Sequence, residues 1–228
     1  MRKALIALGM LVCSLGTPAF ADFGISFSSP GVSIGINLPA YPTLRRIPGY
    51  PVYYSTAVNA NYFFYDGLYW VFIDDDWYAS DWYNGPWYLV DRFEVPLFIL
   101  RIPVRYYSYA PDYFRSWRVD APPRWAERWG HTWEERRRGW DQWNRRAAPA
   151  PAPLPSYQRR YSGERYPEHG AQANIQTRNY RYQPREQVAR QYYEQRRSQA
   201  RPEPQRQRAA PQARAREHDQ AGKGGPRS

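Results

Sequence analysis

The residues that could carry out catalysis are few and widely separated in this sequence. The 228-residue chain contains three histidines, His131, His169 and His218, and no pair of them has metal-ligand spacing. It contains no Gly-x-Ser-x-Gly nucleophile elbow and no glycine-rich phosphate loop before a helix. A pair of carboxylates, which suffices for glycoside hydrolysis, is the one enzymatic alternative, but most acidic residues lie in predicted turns. The sequence therefore predicts a protein that is not an enzyme and has no catalytic residue, metal site or cofactor.

One cluster of aspartates offers oxygen ligands of the kind that bind Ca²⁺. Asp74, Asp75 and Asp76 are consecutive, and Asp81 follows shortly after. They lack the spacing of an EF-hand or of a Gly-Asp repeat. Aspartate is also common where a chain reverses, because its side chain forms hydrogen bonds with the nearby backbone. We interpret the cluster as a polar reversal between two strands.

The N-terminus has the pattern of a secretory signal peptide. Two basic residues are followed by an apolar run at residues 4–15 and by small residues at Ala19 and Ala21. The alternative is a membrane anchor, but the run is shorter than the roughly 20 residues that span a bilayer. We therefore expect residues 1–21 to be removed before Asp22, leaving no transmembrane span and no thiol. The sequence predicts an exported protein, periplasmic or associated with the outer membrane.

Charge divides the predicted mature chain into two parts. Residues 22–143 carry 12 basic and 14 acidic residues, whereas residues 144–228 carry 18 basic and 7 acidic residues. All ten tryptophans lie in the first part. The second part has few aliphatic residues, so little apolar burial is available to offset the entropy of ordering it. We expect a folded domain followed by a disordered, Arg/Gln/Pro-rich basic tail at residues 144–228.

Alternating apolar residues near the new N-terminus indicate β-structure. Residues 23–27 and 32–38 alternate apolar and small or polar side chains on either side of Pro30-Gly31. Period-two patterns around such a turn predict a β-hairpin. Several prolines follow, so residues 22–60 are predicted to be a hairpin and a proline-rich connector.

A short motif occurs twice, at residues 64–71 and 82–89. Its pattern is aromatic, Tyr, Asp or Asn, Gly, any residue, two aromatics, aliphatic. The Asp-Gly pair of the first copy and the Asn-Gly pair of the second fit type I′ turns, which need positive φ at both central residues. Each copy predicts one hairpin, so we expect a small antiparallel meander within an aromatic-rich domain at residues 61–143.

The second copy of this motif carries a resemblance to a known group of proteins. Residues 82–87, WYNGPW, fit the pattern Trp-x-x-Gly-x-Trp, and the first copy is a Phe/Tyr variant of it. The chain resembles the WxxGxW or YxWGxW repeat proteins exported by Gram-negative bacteria. More broadly, it is similar to small exported proteins with a Tyr/Trp-rich middle and an Arg/Pro/Gln tail. The resemblance covers residues 62–90 and implies an envelope location and a β-rich repeat, without an activity.

Two further elements complete the predicted domain. Residues 95–107 have strand-forming side chains, with Pro96 and Pro103 placing the strand at an edge or dividing it. In residues 123–143 the tryptophans fall on one stripe at helical spacing, which predicts one amphipathic, tryptophan-rich helix. The expected fold class is mainly β: a meander of aromatic hairpins, this helix and the disordered tail.

The aromatic residues allow two interpretations. They could form the core, with one sheet face covered by the tryptophan-rich helix, because each buried ring removes about 150–250 Å² from water. Alternatively, part of them could form an exposed platform that stacks on sugar rings or bases. The candidate ligand-binding residues for that platform are Tyr69, Trp82 and Trp87.

The basic tail gives the leading functional hypothesis. Outside the inner membrane the available anions are lipopolysaccharide, peptidoglycan and acidic lipid, rather than cytosolic nucleic acid. Arginine pairs with phosphate through two parallel hydrogen bonds, and the candidate polyanion-binding residues are Arg159, Arg160, Arg196 and Arg197. We expect a non-enzymatic envelope protein whose cationic tail binds anionic envelope polymers. The alternatives are a carbohydrate-binding module and a periplasmic assembly or folding factor.

Overall fold

A six-stranded antiparallel sheet organises the computed structural model, which describes residues 31–200. Each strand pairs with the next in sequence, so the sheet is a simple meander. The strands are β1 (Arg45–Arg46), β2 (Tyr53–Ser55), β3 (Asn61–Tyr65), β4 (Leu68–Ile73), β5 (Asp76–Ser80) and β6 (Tyr88–Val90).

Two tight turns join the three central strands. Asp66 and Gly67 link β3 to β4 with φ values of 51° and 90°, as a type I′ turn requires. Asp74 and Asp75 link β4 to β5 with φ values of 51° and 66°. The first hairpin of the repeat and the reversal at the aspartate cluster are thus confirmed.

The second copy of the repeat does not form a tight hairpin. Strands β5 and β6 pair from Ala79 and Tyr88 onward, and residues 81–87 form the loop between them. Trp82 and Trp87 both pack into one core cluster, and Pro86 has no N–H to donate to a ladder. The loop therefore turns its tryptophans inward instead of continuing the strands.

The sheet is buried on both faces. Because strand side chains alternate, Phe63, Trp70 and Phe72 point to one face while Phe64 and Tyr69 point to the other. The first set belongs to a core cluster with residues 95–143 and the second to a cluster with residues 152–182. Most of the aromatic rings are therefore core residues.

Residues 95–107 are helical rather than extended, which corrects the predicted strand. Pro96 immediately precedes helix α1 (Leu97–Leu100), and Pro103 precedes a 3₁₀ turn at Val104–Tyr106. Both prolines have φ near −60°. Proline is well suited to start a helical turn, because its φ is fixed there and its missing N–H is not needed. The residue types alone favour a strand here, but each of the two prolines starts a helical turn.

The predicted tryptophan-rich helix is divided into two short helices. Gly130, whose φ is 82°, separates helix α2 (Trp125–Trp129) from helix α3 (His131–Arg136). The tryptophans still form a continuous row on the first sheet face. Ring centroids are 4.4 Å apart between Trp125 and Trp129, and 4.9 Å apart between Trp129 and Trp133. The stripe is confirmed for the tryptophans from Trp125 to Trp140, but Trp143 packs against Tyr50 and Phe98 instead, and the single helix was wrong.

The N-terminal segment also differs from the prediction. Residues 23–30 lie outside the described residues. Val32 forms one isolated bridge with Trp87, and no regular strand follows it before β1. Ile34, Ile36 and Leu38 instead pack against the second core cluster. The alternation of apolar residues marks a buried side of this segment rather than a hairpin strand.

Residues 144–200 are ordered, which corrects the prediction of disorder for this part of the tail. They form short 3₁₀ turns, helix α4 (His169–Asn179) and helix α5 (Gln187–Ala200). In place of the missing aliphatic residues, four tyrosines provide the buried apolar surface of this segment: Tyr157, Tyr180, Tyr192 and Tyr193. The core is a β-sheet, but helical residues outnumber strand residues in the described part. The predicted mainly-β fold class is therefore confirmed only in part.

Candidate anion-binding surface

A buried glutamine anchors the C-terminal segment to the sheet. The side chain of Gln158 has no solvent exposure and lies in a 3₁₀ turn at Ser156–Arg160. Its Oε1 accepts the Tyr69 hydroxyl at 3.0 Å and the Tyr83 backbone N–H at 3.2 Å. Its Nε2 donates to the Asp81 carbonyl at 2.8 Å. A buried amide that satisfies both of its ends fixes this turn in one position.

A turn aspartate fixes the start of helix α5. Asp66 is buried, and its carboxylate accepts the backbone N–H groups of Arg185 and Glu186, each at 2.8 Å. It also accepts the Tyr182 hydroxyl at 2.6 Å. An acidic group at this position satisfies backbone N–H groups immediately before the helix and interacts favourably with the helix dipole. The hairpin turn thus positions a helix far away in sequence.

A buried ion pair lies where helix α5 crosses the end of β5. The Arg196 Nε atom is 3.7 Å from Asp81 Oδ2, and Tyr192 donates to Asp81 Oδ1 at 2.9 Å. Arg196 also contacts His169 and the side chain of Gln172. Removing one partner of such a pair leaves an uncompensated buried charge. Arg196 is therefore a structural residue of the interface between α4, α5 and the sheet.

His169 is part of the same network. Its Nε2 lies 2.7 Å from the Tyr88 hydroxyl and next to the Arg196 guanidinium. Desolvation and then the positive charge of Arg196 lower the pKa of His169, whereas Asp81 opposes the shift. A neutral imidazole is favoured here, because a protonated one would face the guanidinium.

The three aromatic residues predicted to be exposed are buried. Tyr69 and Trp82 have 0% of their surface exposed and Trp87 has 2%. The C-terminal segment covers them: the ring centroids of Trp82 and Tyr161 are 5.5 Å apart, and Tyr69 donates to Gln158. The expected platform on these residues is therefore wrong, since the tail occupies the face that a sugar would have used.

The arginines of the C-terminal segment form an exposed basic surface. Eleven arginines lie between residues 144 and 200, and Arg196 is the buried one. The other ten are exposed: Arg145, Arg146, Arg159, Arg160, Arg165, Arg178, Arg181, Arg185, Arg190 and Arg197. Within the described part of the chain, none of these ten has a carboxylate within ion-pair distance. Their positive charges are left available to a ligand.

Several arginines of the preceding segment form ion pairs with nearby carboxylates. Arg115 pairs with Asp112 at 2.7 Å, and Arg124 pairs with Glu127 at 3.2 Å. Arg118 pairs with Asp120, likewise at 3.2 Å. With Arg128 beside Asp75, at least four arginines of residues 31–143 form ion pairs, whereas Arg196 is the one arginine that does so within residues 144–200.

The four predicted polyanion-binding residues divide accordingly. Arg159, Arg160 and Arg197 are exposed, and the Arg159 guanidinium lies 5.5 Å from the ring centroid of Tyr41. Arg196 is 4% exposed and paired with Asp81, so it is not available to an external anion. The structure adds seven arginines that the sequence did not single out. In a segment interpreted as disordered, nothing distinguished these seven arginines from the others.

Neither a metal cluster nor a membrane span is found within residues 31–200. No group of three or more His, Cys, Asp or Glu side chains there could hold a metal ion. No helix in this range is both long and apolar enough to cross a bilayer.

Comparison with known protein families, with curated proteins and with solved structures finds no match for this chain.

Proposed function

We propose that the protein is a non-enzymatic, exported protein that binds anionic polymers of the cell envelope through an ordered, arginine-rich surface. The observation that carries this proposal is the set of ten exposed arginines that have no carboxylate partner within the described residues. Like charges gathered on one segment attract polyanions and raise their rate of association. The signal-like N-terminus selects envelope anions over cytosolic nucleic acid.

Phosphate is the anion that this surface suits best. Guanidinium groups bind phosphate oxygens through two parallel hydrogen bonds, and arginine remains charged at every physiological pH. Ordering of residues 144–200 also lowers the cost of binding, because these side chains already stand on a fixed backbone. We therefore expect lipopolysaccharide phosphates and acidic phospholipids to bind more strongly than peptidoglycan carboxylates.

The two other functions considered for the sequence are less well supported. The carbohydrate platform on Tyr69, Trp82 and Trp87 is excluded by their burial. A folding factor needs an apolar surface for its clients. In the described part, the large exposed apolar side chains are confined to Val32, Leu89, Tyr109 and Val119.

Two charge-matched triple variants test the proposal. Replacing Arg159, Arg160 and Arg181 with Gln removes three unpaired charges from the C-terminal segment. The control replaces the paired residues Arg115, Arg118 and Arg124 with Gln, which changes the net charge equally. Binding to lipopolysaccharide and to vesicles containing acidic lipid is measured over a range of salt concentrations.

We expect the first variant to bind about a hundredfold more weakly at low salt, since each basic side chain at an anionic surface contributes about 1 kcal/mol. Its affinity should also depend less on salt. The control variant should bind like the wild type. An equal loss in both variants would mean that net charge alone matters, and salt-independent binding would contradict the electrostatic mechanism.

A further inference from the structure

One aromatic ring differs from all others in the described part of the chain. Tyr109 is 52% exposed, whereas every other Phe, Tyr and Trp in residues 31–198 is buried or partly buried. It lies in the segment between the 3₁₀ turn at Val104–Tyr106 and the one at Asp112–Ser116. A protein that buries so many rings and leaves one open to solvent provides a single flat apolar surface for a ligand.

The exposed ring is held at both ends. A buried side chain, Asn61, accepts the Tyr109 backbone N–H at 2.9 Å and donates to the Tyr109 carbonyl at 2.7 Å. At the other end, the Tyr109 hydroxyl donates to Asn59 Oδ1 at 2.9 Å. These three hydrogen bonds fix both the backbone and the ring plane. A ring fixed before binding loses little entropy when a ligand stacks on it.

Tyr109 borders a cleft of about 490 Å³ at one end of the sheet. The β3–β4 hairpin brings Asn61 opposite Phe72, and the Asp74-Asp75 turn follows directly. Tyr113 also lines the cleft. The volume is within the range of small-ligand sites, which are concave and combine apolar walls with a few polar groups.

The two aspartates of the turn play different parts in the cleft. Asp75 is already occupied, since it accepts the Tyr113 hydroxyl and pairs with Arg128. Asp74 is exposed, and within residues 31–198 it neither accepts a hydrogen bond nor pairs with a cation. The cleft thus has one fixed ring and one free carboxylate.

We propose that this cleft binds an uncharged sugar residue of a glycan. The apolar C–H face of a pyranose would stack on Tyr109, and its hydroxyl groups would donate to Asp74 and Asn59. A nucleotide fits less well, because the free carboxylate of Asp74 would repel its phosphate. A quaternary ammonium group is usually held by several aromatic faces, whereas one exposed ring is present here. The site is separate from the basic surface and acts without net ionic attraction.

The probes are three neutral trisaccharides: maltotriose, cellotriose and triacetylchitotriose. Each is titrated into the ¹⁵N-labelled full-length mature chain while backbone amide shifts are followed. We expect at least one to shift the amides of Asn59, Asn61, Asp74 and Tyr109, with little change when salt is raised.

Tyr109→Ala should weaken that binding by about tenfold or more, as expected for loss of one stacking contact. Tyr109→Phe should bind more tightly than Tyr109→Ala but more weakly than the wild type, because it keeps the ring and loses the hydrogen bond to Asn59. Asp74→Asn should weaken binding. Leu89→Ala is the matched control, since Leu89 is exposed to 54% but does not line the cleft.

Several results would overturn the proposal. They are no shift at these amides with any of the three sugars up to their solubility limits, equal affinity of Tyr109→Ala, or shifts caused by adenosine but by none of the sugars. The triple variant at Arg159, Arg160 and Arg181 should bind the sugar normally. A failure here is therefore distinguishable from a failure of the polyanion proposal.

Discussion

The carboxylate of Asp66 accepts the backbone N–H of Glu186 at 2.8 Å, although the two residues are 120 positions apart in the sequence. Asp66 is at the same time the first central residue of a type I′ turn, with a φ of 51°. One aspartate thus shapes a hairpin locally and holds the segment immediately before α5 at long range. This explains how a polar, basic segment becomes part of the fold.

Replacing Asp66 with Ala should lower the free energy of unfolding more than the same change at Asp74. Both residues occupy the same turn position with a φ of 51°, so both variants lose a residue that tolerates this backbone conformation. Only Asp66 is also buried and accepts the two backbone N–H groups just before α5, and leaving such a buried group without its partner costs about 1–3 kcal/mol. Urea denaturation of the two variants measures this difference directly. Equal destabilisation would show that Asp66 acts through the turn alone.

Replacing Gln158 with Ala should be strongly destabilising. The change leaves the Tyr69 hydroxyl, the Tyr83 N–H and the Asp81 carbonyl without their partner in a buried site. We expect a loss of about 3 kcal/mol or more, since each unpaired buried group costs about 1–3 kcal/mol. Gln183→Ala, at an exposed position of the same segment, is the control and should be close to neutral. A small effect at Gln158 would mean that this turn does not anchor the segment.

Two truncations should behave in opposite ways. A chain that ends at residue 143 lacks the cover of the second sheet face and exposes Tyr69, Trp82 and Trp87. It should bind the dye ANS and aggregate, as expected for a large exposed apolar face. A chain that ends at residue 200 retains the cover and should unfold at the same urea concentration as the full chain. A monomeric, natively packed 22–143 fragment would contradict the structural role of the C-terminal segment.

Stability should fall on mild acidification because of His169. Its pKa is lowered in the folded state, so the unfolded chain binds a proton more readily. The associated stability is complete above the unfolded-state pKa of about 6.5 and is lost as the pH falls through the folded-state value. The decrease in Tm between about pH 7.5 and about pH 5.5 should therefore be smaller in His169→Gln than in the wild type.

The control for this experiment is His131→Gln. His131 is exposed and contacts only Glu134 and Glu135 on its own helix among the described residues. This variant should show the same pH dependence as the wild type. If His169→Gln does so as well, the network around Tyr88 and Arg196 does not control stability in this range.

The local features of the fold could be read from the sequence wherever one residue type dominates. Asp66-Gly67 predicted its turn because few other pairs tolerate positive φ at both positions. The tryptophan stripe of residues 123–143 was visible in its spacing. The break at Gly130 was not, because a glycine within a helical pattern is often tolerated.

The order of residues 144–200 could not be read from the sequence, because it rests on long-range pairs. Composition alone indicates disorder, since the segment is basic and has few aliphatic residues. Gln158 donates to both the Tyr157 hydroxyl and the Asp81 carbonyl, and the Asp81 carboxylate contacts both Tyr192 and Arg196. The same pairs determine which residues the candidate site contains, because they bury Trp82 and Arg196 and leave Arg159 and Arg160 exposed to solvent. Such complementarity between distant segments leaves no periodic signature.

The covering of both sheet faces has a consequence for how the chain is made. Synthesis proceeds from the N-terminus, so the strands up to Val90 emerge long before Gln158 and Tyr193. During that interval a row of aromatic rings faces water with nothing to close over it, and slow non-local closure of this kind favours aggregation. The polypeptide is thereby kept from finishing its fold until nearly all of residues 31–200 have been synthesised. Chaperones that shield ring-rich intermediates should raise its yield.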